Sequence, residues 1–115
     1  MLNILFEDNH LLILNKKSGE LSQGDITNDK TLVDKAKSYL KAKYNKKGNV
    51  FIGLVHRLDR PTSGVIVLSK TSKSLRRMND KFKMNEISKV YWAVTNSFNK
   101  NEGKVESFLK KNQKQ

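Results

Sequence analysis

Two short apolar runs, residues 51–55 and 64–68, flank a polar and charged loop, and this pattern constrains the fold more than any other part of the chain. Each run has the length of a β-strand and is followed by a polar residue. Residues 64–68 are continuously apolar, which is typical of a strand that is buried on both faces. We therefore expect a sheet in which two strands carry the loop of residues 56–63 between them.

The loop places one carboxylate among several cations. Asp59 has Arg57 and Arg60 on either side, and Lys70 closes the following strand. Positive neighbours favour the ionised form of a carboxyl group. From the residues alone, Asp59 is a loop carboxylate that could equally cap the turn at residues 62–63 or pair with Arg60.

The string His-Arg-Leu-Asp-Arg-Pro-Thr-Ser-Gly at residues 56–64, followed by Lys70 and Thr71, resembles the signature loop of the RluA-type pseudouridine synthases, which isomerise uridine to pseudouridine in RNA. A long ordered string with a fixed aspartate is more specific than an isolated charged or glycine-rich motif. The resemblance implies that Asp59 is the catalytic residue and that neither a cofactor nor a metal takes part. It also implies an α+β fold with a mixed, largely antiparallel sheet and two flanking helices.

A second segment, Lys-Val-Tyr-Trp-Ala at residues 89–93, resembles the Lys-x-Tyr-x-Ala strand of the same family, whose tyrosine stacks under the target base. The resemblance implies that Tyr91 supports an extruded uracil and that Arg57 helps to hold the nucleotide out of its stack. We add Arg60 and Lys70 to the predicted substrate-binding residues. Without the resemblance, Tyr91 would be interpreted as a half-buried strand tyrosine and Lys70 as the end of its strand.

The chemistry of the loop leaves two questions open. Asp59 could add to uracil as a nucleophile, or it could stabilise a glycal by removing a sugar proton. His56 could act as a general base, but we predict that it anchors the loop by hydrogen bonds. Asp59 is therefore the one loop residue to which we assign a chemical step.

The charge balance indicates a polyanionic partner. Lysine and arginine contribute 23 cations against 11 aspartates and glutamates, which gives a formal net charge of +12 for 115 residues. We predict that the partner is RNA, either rRNA or tRNA, with a lysine-rich solvated surface as the alternative. The chain has no cysteine, no apolar run that could span a bilayer and no resemblance to a signal peptide at its start. We therefore expect no disulfide, no membrane partner and a cytoplasmic location.

Hydrophobic periodicity predicts four further strands. Residues 2–6 and 11–14 should form a β-hairpin. The Asn-Lys-Lys-Ser-Gly that follows at residues 15–19 resembles the family's Asn-Lys-Pro-x-x-Gly turn, with lysine where proline is usual. Residues 87–95 alternate in the manner of a strand, and residues 104–109 are predicted to form a short final one.

Two helices are predicted between these strands. Thr31 and Asp34 can form a capping box for a helix over residues 31–44, and a second helix follows Lys70 with Thr71 or Ser72 as its cap. The outward face of the second helix is basic, which suits either an ordinary solvated surface or one that holds RNA phosphates. The predicted inward-facing residues are Leu32, Ala36, Tyr39, Leu40 and Tyr44 in the first helix and Leu75, Met78 and Phe82 in the second.

One motif of the family is missing from the sequence. Family members carry a Gly-Arg-x-His-Gln-x-Arg-like stretch well after the tyrosine strand, whereas here no arginine follows Arg77 and no histidine follows His56. We therefore expect residues 1–115 to be a single, truncated pseudouridine synthase catalytic domain that lacks its C-terminal part and is inactive by itself. A sheet cut short in this way would expose an unpaired edge through which the chain could self-associate.

Two other functions are open on the sequence. A noncatalytic basic RNA-binding module would bind RNA with a strong salt dependence but perform no base chemistry. A ribosome-associated structural protein would use its lysines to neutralise rRNA and would not need Asp59 and Tyr91 to face one cleft. The sequence names neither the RNA nor the uridine.

Overall fold

The computed structural model describes residues 2–24 and 29–96, which contain a four-stranded sheet and two helices. The strands are β1 (Ile4–Glu7), β2 (Leu11–Lys16), β3 (Gly53–Leu54) and β4 (Gly64–Ser69), and the helices are α1 (Leu32–Lys43) and α2 (Ser72–Lys83). Neighbouring strands in the order β1-β2-β4-β3 are all antiparallel. The predicted α+β class with a largely antiparallel sheet and two helices is confirmed. Neither described helix has the length and apolar character needed to cross a bilayer.

One face of the sheet forms the core with α1. Leu12 and Leu14 of β2 lie opposite Leu68 and Ile66 of β4. Because side chains alternate along a strand, all four point to the same face. The residues of α1 that cover this face recur at helical spacing, namely Leu32, Ala36 and Leu40. Every one of these side chains belongs to a residue that is 2% exposed or less, so the cluster is the core of the described chain.

Both helices begin and end at residues that satisfy their terminal backbone groups. The Thr31 hydroxyl accepts a hydrogen bond from the Asp34 amide (3.1 Å), and the Asp34 carboxylate accepts one from the Thr31 amide (3.1 Å). The predicted capping box is thus confirmed. Thr71 caps α2 through its hydroxyl. Asn45 and Asn85 follow the two C-caps with φ of 49° and 56°, the left-handed conformation that closes a helix C-terminus.

Helix α2 packs on the other face of the sheet, next to β3. Gly53 of β3 is paired with Ser69, which alternates with the inward-facing Leu68 and therefore points away from the core. A Cβ at Gly53 would lie 2.7 Å from Leu75 Cδ2. The missing side chain thus allows α2 to approach the strand closely. The predicted inward-facing residues of this helix are all partly buried, namely Leu75, Met78 and Phe82.

Two predictions about β3 and β4 are wrong. The strand predicted over residues 51–55 is only two residues long, because the Val67 amide of β4 donates to the His56 side chain instead of continuing the ladder. The prediction that β4 is buried on both faces also fails, since Val65 is 55% exposed. α2 covers the outer face of β4 only toward its C-terminal end.

The strand predicted over residues 87–95 is also absent. This segment has no regular structure up to residue 96, and Trp92 within it is 97% exposed. A strand needs a free edge of matching length, and the neighbouring edge strand β3 offers only two residues. The strand predicted over residues 104–109 lies outside the described residues.

Candidate active site

A buried lysine at the end of β2 holds the loop of residues 56–63, which we call the signature loop. Lys16 Nζ donates hydrogen bonds to the backbone carbonyls of Asp59 (3.2 Å), Arg60 (2.9 Å) and Thr62 (2.7 Å). The Lys17 carbonyl oxygen also lies 3.2 Å from Nζ, so the four oxygens share the three N–H groups of the ammonium. Lys16 is only 1% exposed. Because hydrogen bonds from a charged donor are stronger than neutral ones, this ammonium fixes the backbone around the predicted catalytic aspartate.

The charges around Lys16 partly compensate for its burial. Burial is the largest influence and lowers the pKa of the Lys16 ammonium. The carboxylate of Glu20 acts in the opposite direction, Arg60 adds to the lowering, and Asp59 again opposes it. The signature loop and the lysine that holds it are therefore coupled electrostatically as well as by hydrogen bonds.

The turn that follows β2 adds a second set of bonds to the signature loop. The Gly19 amide donates to the Arg60 carbonyl (2.8 Å), and the Gly19 carbonyl accepts from Arg60 Nε (2.8 Å). Gly19 has a φ of 94°, a left-handed conformation that residues with a Cβ rarely adopt. The hydroxyl of the buried Ser22 donates to the Leu58 carbonyl (3.0 Å). The loop backbone is thus tied to β2 and to the turn after it.

Arg57 and Asp59 are exposed and line one groove, which we call the aspartate groove. The groove has a volume of about 410 Å³, within the range of small-molecule sites. Residues 21–24 line it as well, together with Leu58 and Arg60. A carboxylate and a guanidinium are thus held accessible on a fixed backbone, an arrangement that suits a nucleotide. Among the described residues, no three histidine, aspartate or glutamate side chains lie close enough to bind a metal ion together.

Arg60 makes its described contacts with the protein itself. Besides the bond from Nε to Gly19, its Nη2 atom pairs with the Asp29 carboxylate (2.8 Å). The guanidinium therefore helps to hold the loop at the edge of the aspartate groove. Substrate binding by Arg60 stays a prediction.

Tyr91 lines a different groove, which we call the tyrosine groove and which has a volume of about 560 Å³. His56 and Phe82 contribute to its lining, and Leu58 lines both grooves. Tyr91 is 62% exposed, and Asp59 is not among the residues that line this groove. The structure therefore brings Arg57 and Asp59 together and places Tyr91 in the adjoining groove.

His56 anchors the start of the signature loop. Its Nε2 atom accepts a hydrogen bond from the Val67 amide (3.1 Å), and its ring stacks on Phe82 with ring centroids 5.1 Å apart. Burial, followed by the positive charge of Lys89, lowers the pKa of His56. The neutral ring, which can accept this bond, is therefore favoured. The predicted anchoring by hydrogen bonds is confirmed.

Lys70 lies beyond the end of β4 that is far from Asp59. β4 has six residues and is roughly 20 Å long at about 3.3 Å per residue, so the structure does not bring Lys70 together with Asp59. Lys70 Nζ pairs with the Glu7 carboxylate (2.8 Å) and donates to the Asp8 carbonyl (2.8 Å). These contacts give Lys70 a structural role, and its part in substrate binding stays a prediction.

Glu7 is the centre of a polar cluster, the Glu7 cluster, formed with Tyr39, Lys43, Tyr44 and Lys70. The Glu7 carboxylate accepts hydrogen bonds from the Tyr39 hydroxyl (2.6 Å), Lys43 Nζ (2.9 Å) and the Tyr44 hydroxyl (2.9 Å). Burial acts to raise the pKa of Glu7, but the hydrogen bonds from Lys70, both tyrosines and Lys43 outweigh it and lower the pKa far below its usual range. Tyr44, predicted to lie in the core, is 47% exposed, and its hydroxyl donates to Glu7.

Lys16 and Ser22 both hold the signature loop, although no role was predicted for either. A signal for Lys16 is present in the alternation of β2, because Leu12 and Leu14 point to the core and Lys16 is the next residue in that phase. A lysine at an inward-facing position needs buried oxygen partners. Ser22 carries no comparable signal, since it lies in an irregular polar loop.

Known proteins resemble this chain over most of its length. A family model described as RNA pseudouridylate synthase matches residues 10–115. The chain is 36% identical over 111 residues to Ribosomal large subunit pseudouridine synthase D of Borreliella burgdorferi, covering 92% of the chain and 34% of that protein. It is 38% identical over 109 residues to Ribosomal large subunit pseudouridine synthase C of Rickettsia felis, with coverages of 94% and 34%. It is also 30% identical to tRNA pseudouridine synthase C of Haemophilus ducreyi, with coverages of 95% and 43%.

A solved structure agrees with these matches. Human RNA Pseudouridylate Synthase Domain Containing 4 superposes with a TM-score of 0.61 and 26% sequence identity, over 73% of this chain and 30% of that one. The chain spans about a third of the length of the first two curated relatives. Because the family model covers nearly all of the sequence, and because the signature loop independently resembles that of the RluA-type enzymes, this chain belongs to the RNA pseudouridylate synthase family.

Proposed function

We propose that this chain carries the catalytic aspartate, Asp59, of an RNA pseudouridine synthase that isomerises uridine to pseudouridine in rRNA or tRNA. Membership of the family supports the reaction class. The names of the relatives, which include ribosomal large subunit and tRNA pseudouridine synthases, support the two classes of RNA. Because the chain spans about a third of the first two relatives, we assign to it only the aspartate loop of the reaction and the supporting residues named below.

The observation that carries the proposal is the contrast between the backbone and the side chains of the signature loop. Lys16 and Ser22 bind its carbonyl groups, while Asp59 and Arg57 remain exposed in the aspartate groove. A reacting group that is already in position does not lose orientational freedom when the substrate binds. A carboxylate that served only the fold would not need to be exposed on a backbone fixed by a buried cation.

The proposed reaction breaks the bond between ribose C1′ and uracil N1, turns the base, and joins C1′ to C5. C5 loses a proton and N1 gains one, so the isomerisation balances without an oxidant, a reductant or an external group donor. The Asp59 carboxylate either adds to the uracil ring as a nucleophile or accepts a proton from the sugar in a glycal route. Both routes require a carboxylate oxygen at contact distance from a single extruded nucleotide.

Arg57 and Tyr91 have supporting roles in this proposal. Arg57 shares the aspartate groove, where a guanidinium can bond a phosphate or stack on a base of the extruded nucleotide. Tyr91 lines the adjoining groove, which shares Leu58 with the aspartate groove, and we place the extruded uracil between the two grooves. Stacking on an aromatic ring returns roughly 1–3 kcal/mol of the free energy that extrusion costs. Arg60 and Lys70 remain secondary candidates for substrate binding.

The test uses RNA labelled with tritium at uridine C5 and the protein as the cell makes it, because residues 1–115 by themselves are expected to be inactive. Pseudouridine formation releases this tritium to water, and we expect release by the wild-type protein. Asp59→Asn should lower the rate by about a thousandfold or more, because it removes the reacting oxygen charge, while RNA binding in a filter assay is retained. Full release by the Asp59→Asn protein would contradict the proposal.

Tyr91 offers a matched pair of variants in the same assay. Tyr91→Phe keeps the aromatic face and should retain most of the release. Tyr91→Ala removes it and should lower the rate by about ten- to a hundredfold, the equivalent of the stacking free energy. Equal rates in the two variants would remove Tyr91 from the proposed site.

A noncatalytic RNA-binding module is the second candidate function, and one observation favours it. Asp59 and Tyr91 line different grooves in the described chain. This candidate predicts salt-sensitive RNA binding without any release of tritium, so the same assay separates the two functions. A cytoplasmic location and self-association through a sheet edge stay predictions.

A further inference from the structure

The outward side of α2 carries a dense set of cations, which we call the basic face of α2. Its members are Lys73, Arg76, Arg77, Lys81 and Lys83, and all of them are exposed. At about 100° per residue, these positions fall within one half of the helix circumference. Asp80 is the one acidic residue among them. The helix has 12 residues and is roughly 18 Å long at about 1.5 Å per residue, enough to meet several phosphates of one strand.

Most cations of the basic face lack an acidic partner in the described part of the chain. Lys81 has a carboxylate oxygen of Glu86 at 3.9 Å. Lys73 and Arg77 are four residues apart on the helix, a spacing at which like charges repel each other. A negatively charged ligand would relieve this repulsion. Elsewhere in the described chain an acidic side chain pairs with Lys35, Lys43, Arg60 and Lys70.

The C-terminal end of α2 is fixed next to the signature loop. Phe82, near the C-terminal end of α2, stacks on His56, and His56 directly precedes Arg57 in the chain. Lys89 Nζ lies 5.8 Å from the centroid of the Phe82 ring, and Lys89 also lines the tyrosine groove. The positive surface therefore continues from α2 toward the tyrosine groove. An RNA strand with a nucleotide at the signature loop would have its neighbouring phosphates within reach of α2.

We propose that the basic face of α2 binds phosphates of the RNA strand that flanks the target uridine. This inference rests on the proposed function and identifies the surface that holds the RNA outside the reacting nucleotide. Lysine and arginine neutralise phosphates and release counterions without reading the base sequence. A lipid surface fits less well, because the apolar side of α2 packs against the sheet, whereas helices on membranes bury that side in the bilayer.

The test compares two sets of charge changes in the native protein. The first variant carries K73Q, R76Q and R77Q on the basic face. The matched control carries K37Q, K41Q and K47Q, which replace three exposed lysines of α1 and of the loop after it. Helix α1 packs on the opposite face of the sheet from α2. Both variants lose three positive charges, so a difference in RNA binding reports the location of the charges rather than their number.

RNA affinity is measured by fluorescence anisotropy with an unmodified rRNA or tRNA transcript over a series of salt concentrations. At about 0.7 counterions released per single-strand phosphate, loss of three contacts should reduce the slope of log affinity against log salt by about two. The control should keep the wild-type slope. A charge-preserving variant, R76K and R77K, should bind as the wild type does. Thermal unfolding of the first variant should occur at an equal or higher temperature, because repulsion within α2 is relieved.

Several results would overturn this inference. A wild-type affinity and slope in the first variant would show that the basic face does not contact RNA. An equal loss in the α1 control would indicate general charge attraction. Loss of binding to phosphatidylglycerol vesicles with unchanged RNA affinity would assign the face to a lipid surface. A protein whose RNA binding depends on α2 but which releases no tritium would contradict the proposed function alone.

Discussion

The two ends of β4 use buried charge in opposite ways. At the end that begins with Gly64, the Lys16 ammonium bonds the backbone of the signature loop and leaves the Asp59 side chain exposed. At the other end, Lys70 and Glu7 bond each other and the side chains around them. The first arrangement fixes a loop and keeps its functional groups available to a ligand, whereas the second uses its charges to join β1, α1 and β4. Exposed groups on a fixed backbone therefore distinguish the site from an equally charged structural cluster.

The largest effect is expected when the buried ammonium at the loop end is removed. Lys16→Met keeps a similar side-chain length but loses every hydrogen bond to the signature loop, and it leaves the Thr62 carbonyl without this donor. The free energy of unfolding should fall by about 3–4 kcal/mol, as measured by urea denaturation. Lys17→Met, at the exposed neighbouring position, is the matched control and should change it by less than about 0.5 kcal/mol. Equal stability of the two variants would contradict the role of Lys16.

A somewhat smaller effect is expected at the opposite end of β4. Glu7→Gln removes the counter-charge of Lys70 and should lower the free energy of unfolding by about 2–3 kcal/mol at pH 7. Because folding lowers the pKa of Glu7, its contribution is complete above about pH 4.5 and is lost as the pH falls further. Between neutral pH and acid pH, the free energy of unfolding should therefore fall less in the variant than in the wild type. Below the unfolding temperature of the variant, its RNA binding should equal that of the wild type. Weaker RNA binding under these conditions would show that the Glu7 end of β4 also contributes to the site.

His56 should produce a smaller and pH-dependent effect. Because folding lowers the pKa of His56, its contribution is complete above about pH 6.5, the usual pKa of histidine, and is lost as the pH falls through the lowered value. His56→Phe keeps a ring against Phe82 but can neither accept the Val67 bond nor titrate. The stability difference between wild type and variant should shrink by about 1 kcal/mol between pH 7 and pH 5. A difference that does not vary with pH would leave only the stacking role.

The smallest effects on stability are expected for the exposed residues of the aspartate groove. Asp59→Asn and Arg57→Gln should each change the free energy of unfolding by less than about 0.5 kcal/mol, because neither exposed side chain makes a hydrogen bond or ion pair in the described chain. Differential scanning calorimetry can compare them with Lys16→Met. If either variant lost more than about 2 kcal/mol of unfolding free energy, that side chain would stabilise the fold as Lys16 and Glu7 do. The two ends of β4 would then no longer differ in this respect.

Local patterns were sufficient to predict much of the fold. Three predicted features each lie within a short segment: the capping box of Thr31 and Asp34, the cap at Thr71 and the apolar run of β4. The structure confirms both caps and the strand. The strand predicted over residues 87–95 was wrong because alternation shows only that a segment suits a strand. A strand also needs a partner edge of matching length, and the edge strands of the described sheet, β1 and β3, have only four and two residues.

The candidate site was less accessible to sequence reasoning. Asp59 and Arg57 were found through a local string, and the structure places both in one groove. The bonds from Lys16 to the signature loop join residues 43 to 46 positions apart, so no local pattern contains them. The one local indication is that Lys16 occupies a position of β2 whose side chain points toward the core. The different grooves of Asp59 and Tyr91 likewise depend on tertiary packing.

The role of Asp59 is tested most directly by mapping pseudouridines in the rRNA and tRNA of cells that carry Asp59→Asn in the gene for this protein. We expect at least one pseudouridine of the wild-type cells to be missing, at an unchanged level of the protein, while cells with Lys17→Met retain all of them. If every pseudouridine persists in the Asp59→Asn cells, Asp59 is not the catalytic residue of a pseudouridine synthase.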